Sequence, residues 1–64
     1  MLVVRTEMKV IYLGNNDPLS LLYGKIYDVL SVEKDWYRIV DETGEDYLYP
    51  PDLFIMENDI NSVL

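Results

Sequence analysis

Hydrophobic and polar residues alternate in short runs along most of this chain, and Gly, Pro, Asn or Asp closes nearly every run. Period-two alternation is the pattern of a β-strand with one face buried. It predicts an opening strand at Met8-Lys9-Val10-Ile11-Tyr12-Leu13. Gly14-Asn15-Asn16-Asp17-Pro18 is turn chemistry, and the apolar residues Leu19 to Tyr23 predict a long loop folded back on the sheet. Residues 25–33 read as a second strand, with Tyr27 and Val29 on one face and Leu30 and Val32 on the other. A strand apolar on both faces suits a bent strand that serves both halves of a small barrel.

After the short turn Lys34-Asp35 comes a third strand, Trp36 to Val40. Tyr37 and Ile39 share its inner face; Trp36, Arg38 and Val40 share the outer one. Asp41-Glu42-Thr43-Gly44 predicts a hairpin turn. The fourth strand, Glu45 to Tyr49, carries Tyr47 and Tyr49 on one face and Asp46 and Leu48 on the other. Pro50-Pro51 halts pairing, because a proline nitrogen has no hydrogen to donate. Asp52-Leu53 predicts one 3₁₀ turn and Phe54-Ile55-Met56 a last short strand.

A helical reading fails on the spacing of prolines and glycines and on the β-branched and aromatic content. The expectation is an all-β, five-stranded barrel over 8–57, with Val10, Ile26, Val29, Ile39 and Tyr49 inside. Residues 1–7 read as an N-terminal extension, with Met8 as an alternative start, and 58–64 as a tail without strong pattern.

Composition narrows the chemistry. Sixty-four residues make one domain near the lower size limit for unaided folding. The chain has no Cys and no His, so disulfides, thiolate nucleophiles, the usual nucleophile–base pairs and transition-metal sites are not expected. Net charge is −7, and no Lys or Arg follows Arg38. Such a surface repels phosphate backbones and anionic lipid and attracts a basic protein patch, so neither nucleic acid nor membrane is an expected partner. No run approaches a membrane span, and the start is too short and too charged for a signal peptide, so cytoplasmic residence is the expectation. Glu42, Glu45 and Asp46 surround one turn. They read as a solvated turn, or alternatively as a hard-cation or acid–base cluster.

Over residues 8–57 the chain resembles SH3-like domains, and more narrowly small stand-alone SH3-like proteins of Gram-positive bacteria and their phages. The matching pieces are Met8-Lys9-Val10, Asp17-Pro18-Leu19, Gly24 to Leu30, Trp36 to Asp41 and Glu45 to Pro51. The resemblance implies a barrel with a long RT-type loop and a 3₁₀ turn before the last strand. It also implies a groove: Trp36 stands at the groove tryptophan, Pro50 at the groove proline, and Asp17 and Glu33 on the loops that carry specificity acids. Leu48 and Leu53 stand where two groove tyrosines are expected.

The expected function is that of a non-catalytic binding module needing no cofactor. It recognises a basic or apolar protein segment through an aromatic and acidic surface: Trp36, Tyr23, Leu48, Pro50 and Leu53, rimmed by Asp17, Glu33, Asp35 and Asp46. Trp36 keeps two readings here, as an exposed anchor or as a cover over one side of the barrel. The alternative function is a small-molecule binder or phage-type inhibitor of a host system, working as an oligomer that encloses its ligand.

Overall fold

The computed structural model describes residues 8–58. The reading of 1–7 as an extension falls outside the described residues, and so does that of 58–64 as tail apart from Asn58. Six strands form in the order β1 (Lys9–Tyr12), β2 (Ile26–Asp28), β3 (Ser31–Glu33), β4 (Trp36–Val40), β5 (Asp46–Tyr49) and β6 (Phe54–Met56), with a 3₁₀ turn at Pro51–Leu53 before β6. They make two antiparallel three-stranded sheets, β2-β1-β6 and β3-β4-β5. Glu57 and Asn58 take up helical backbone where the described residues end.

Five strands were expected and six are present, because the second one breaks. Val29 N–H bonds the carbonyl of Met8 at 2.9 Å, which continues the β1 pairing. Leu30 N–H bonds the carbonyl of Arg38 at 2.8 Å, which continues the β4 pairing. The chain thus changes sheets between two adjacent residues. In the register Val32 lies opposite Tyr37, yet like Leu30 it is close to half exposed, whereas Tyr27 and Val29 are buried.

The core collects Val10 and Tyr12 from β1, Tyr27 and Val29 around β2, Ile39 from β4, Phe54 from β6 and Leu21 from the long loop. Phe54 is its aromatic centre, with ring centroids 5.5 Å from Tyr12, 5.8 Å from Tyr37 and 6.5 Å from Tyr49. Tilted and edge-on ring pairs of this kind stabilise beyond their buried area. Two expected core residues differ. Ile26 is 47% exposed, because β2 turns Tyr27 inward and its neighbours outward; Tyr49 is half-buried. β1, central in its sheet, is buried on both faces: Ile11 lies outside the main core between Ile26 and Ile55.

The long loop is held by its own polar residues. Asp17 accepts from Leu19 N–H at 2.9 Å and from the Ser20 hydroxyl at 3.0 Å, and this turn drives Leu21 into the core. Gly14 lies against the Tyr12 ring, close enough that a Cβ there would collide with it. One residue of the β4–β5 turn fastens the loop to the sheets. Glu42 N–H bonds the Ser20 carbonyl at 2.8 Å, while its carboxylate accepts from Lys25 and from the Tyr27 hydroxyl, each at 2.7 Å.

Candidate functional site

The site is built on the β3–β4 hairpin. Its two turn residues, Lys34 (φ 52°) and Asp35 (φ 69°), both have left-handed backbone. That geometry suits the twist of a two-residue hairpin but is costly for most side chains, Lys included, and Asn-Gly normally fills it because Asn tolerates it and Gly has no Cβ. Immediately after the turn, Trp36 opens β4 on the outer face, opposite Glu33 in the register. Trp36 is 45% exposed, whereas Ile39 on the inner face is fully buried. This strand phase is the expected one, and it turns the single Trp toward solvent.

Trp36, Leu48, Glu33 and Lys34 line an open groove of about 410 Å³. Leu48 reaches it from β5, where it lies opposite Arg38. Arg38 organises the acids beside the groove. Its Nε and Nη2 donate to the two oxygens of Glu33 at 2.5 and 3.0 Å, and its Nη1 donates to Asp46 at 2.9 Å. Ser31 adds its hydroxyl to Glu33 at 2.8 Å. A fork-on-fork guanidinium pair is the strongest ordinary form of such contacts. The Arg38 guanidinium first, and then Ser31, hold the Glu33 carboxyl down to about 2, and the same pairing raises Arg38.

The acidic rim is therefore partly neutralised within the molecule. Glu33, Asp35 and Asp46 supply three negative charges and Lys34 and Arg38 two positive ones, a local balance of −1 against −7 for the chain. Among the described residues, Asp35 is the rim acid with no side-chain hydrogen bond or ion pair.

The structure does not gather all of the expected surface. Trp36, Leu48 and Glu33 share the groove, Asp35 adjoins it, and Asp46 joins through Arg38. Pro50 is half-buried ahead of the 3₁₀ turn. Leu53 packs against the core instead of facing out, because the 3₁₀ turn rotates the chain. Tyr23, though 63% exposed, and Asp17 sit on the long loop and are not among the residues that line the groove. Asp17 is engaged in its own turn.

Two features were not foreseen. Lys34 is a wall of the groove; the two-residue gap between strands was its only signal. Asp41 is buried and accepts from Thr43 N–H, from the Thr43 hydroxyl and from the Tyr49 hydroxyl, so the Thr43 hydroxyl above all holds its carboxyl below the usual range. The neighbouring acids do not form one cluster: Glu42 faces Lys25 and Tyr27, Glu45 faces the Tyr47 hydroxyl, and Asp46 faces Arg38. Comparison with protein-family models, with curated protein sequences and with solved structures returns no match.

Proposed function

We propose that this chain is a non-catalytic binding module of the SH3-like class that receives a basic or apolar protein segment in the Trp36 groove. The carrying observation is the exposed Trp36 beside Leu48, held next to two left-handed non-glycine residues. Backbone strain of that kind concentrates at working surfaces. A tryptophan in an open apolar groove is the side chain that most often dominates a protein interface.

The class is supported by the order of elements. A long loop follows β1, β2 runs directly into β3 across the two sheets, and a 3₁₀ turn precedes β6. The proposed ligand follows from the groove itself. Trp36 and Leu48 offer apolar contact, and Asp35 offers an unpaired carboxylate to a lysine or arginine at the rim. Because the local charge is only −1, the field of the whole domain steers the encounter, and apolar contact at Trp36 supplies most of the affinity.

Trp36 is the single tryptophan, so its emission reports on the groove. Titration with an array of synthetic basic–apolar peptides tests the reading. A saturable blue shift for a subset of peptides, lost in Leu48→Lys, supports it. Emission unchanged across the array, with fast quenching by iodide throughout, opposes it.

A further inference from the structure

Acidic side chains outnumber basic ones twelve to five in this chain, so a cation left without an acid is unexpected. Lys9 pairs with Asp28 at 2.5 Å, Lys25 with Glu42 at 2.7 Å, and Arg38 with Glu33 and Asp46 at 2.5 and 2.9 Å. Lys34, alone among the described basic residues, has no hydrogen bond or ion pair with a described side chain. It is also the cation that lines the Trp36 groove, beside Glu33, Trp36 and Leu48. Glu33, the other charged residue of that lining, is committed elsewhere: Arg38 and Ser31 between them engage both of its carboxylate oxygens. The uncommitted charge inside the groove is therefore an ammonium, in a domain of net charge −7. Asp35, next in the chain, supplies the opposite charge just outside it. Both residues have left-handed backbone, φ 52° and 69°, where Asn-Gly folds with less strain. The turn thus holds a cation–anion doublet next to Trp36 at a backbone cost.

Resting on the reading of the Trp36 groove as a binding surface, we propose that its ligand is a protein segment of mixed charge. An apolar residue lies against Trp36 and Leu48. An Asp or Glu side chain beside it pairs with the Lys34 ammonium, and a Lys or Arg further out meets Asp35. Lys34 is then a specificity residue. A purely basic segment is drawn in by the field of the whole domain but sets its own cation against Lys34 at contact. A purely acidic segment is repelled before contact. A mixed segment satisfies both the long-range field and the groove. Its pairing with Lys34 is weak in open water and strengthens as Trp36 and Leu48 exclude water on binding.

The test is an array of synthetic peptides with a central Leu-Leu pair, flanked on each side by Lys, Gln or Glu in every combination. Each is titrated against the full-length chain and followed by Trp36 emission. Peptides with Glu on one side and Lys on the other are expected to bind about three- to tenfold tighter than those with Gln in place of the Glu. Peptides with Lys on both sides bind more weakly still. In Lys34→Gln the preference for Glu disappears, and in Lys34→Glu it inverts, so that Lys on both sides binds best. The turn variant with Lys34→Asn and Asp35→Gly loses the charge preference as well.

Binding that Leu48→Lys abolishes but that is indifferent to the exchange of Glu for Gln overturns this proposal and leaves the Trp36 groove standing. So does a Glu preference that survives Lys34→Gln. Emission unchanged by every peptide overturns both readings.

Discussion

The Tyr27 hydroxyl on β2 donates to Glu42 in the β4–β5 turn at 2.7 Å, and the same oxygen accepts from Leu22 N–H at 2.8 Å. One phenol thus ties the long loop, the edge strand and the far hairpin together. Tyr27→Phe leaves the buried ring in place but orphans the Leu22 amide. The expected loss is about 1–2 kcal/mol, read from the denaturant midpoint. Hydrogen exchange at Leu22 should accelerate more than exchange at Ile39. Equal acceleration at both would mean that the bond does not hold the loop locally.

Stability should fall at both ends of the pH scale. Glu33 drops from 4.5 to about 2 through Arg38 and Ser31, and Glu42 and Asp41 are lowered chiefly by Lys25 and Thr43. A lowered carboxyl stabilises the fold above its unfolded value, and that contribution disappears as pH falls from about 4.5 toward 2. At the other end, burial first and then Glu42 push Tyr27 up from 10.0 to about 12, and burial with Asp41 raises Tyr49. The unfolded chain releases these protons first, so stability declines as pH rises through 10 to 12. Melting temperature against pH should show a plateau between the two declines, and Tyr27→Phe should flatten the alkaline one.

The Lys34-Asp35 turn should gain stability from the residues its backbone favours. Replacing it with Asn-Gly lowers the left-handed penalty at position 34, because Asn tolerates that region better than Lys, and removes it at position 35, at some entropic cost, for a net gain of about 1 kcal/mol. A urea midpoint that rises at unchanged slope is the expected reading. A midpoint that falls would mean that Lys34 or Asp35 makes a stabilising contact.

Ile39 is fully buried on β4, the middle strand of its sheet. Ile39→Ala should cost about 2–5 kcal/mol, comparable with the whole stability of a domain this small. Thermal denaturation followed by circular dichroism checks it. A melting temperature equal to that of the parent chain would contradict the inward phase of β4.

The phase of β4 was legible because a strand inside a sheet must alternate: once Tyr37 and Ile39 point inward, Trp36 and Arg38 point out. Ile26 was placed inside on the expectation of a bent strand serving both halves of a barrel, whereas plain alternation along β2, with Tyr27 inward, turns Ile26 out as observed. What alternation does not tell is where the chain leaves one sheet for the next: Val29 and Leu30 make that change without a glycine or proline to mark it. Leu53 was misplaced by the 3₁₀ turn, which resets the phase after Pro50-Pro51. Asp17 was assigned to the groove by the resemblance, and Tyr23 was added as an aromatic of the same loop. Their positions depend on hydrogen bonds inside the loop, such as Tyr23 N–H to the Asn16 side chain at 3.0 Å, which no periodicity encodes. The Arg38 pairing with Glu33 and Asp46 depends on the β3–β4–β5 register, which becomes readable only once the hairpins are set.

The most direct measurement of the central claim compares Trp36→Ala with the parent chain. The affinity for a peptide selected on the parent and the melting temperature of both proteins are measured side by side. The expected result is a loss of at least ~1–2 kcal/mol in binding, roughly ten-fold in Kd, with the melting temperature nearly unchanged. An unfolded Trp36→Ala variant, or one that binds the peptide as tightly as the parent, would contradict the account: the first makes Trp36 a structural cover, and the second places the binding surface elsewhere.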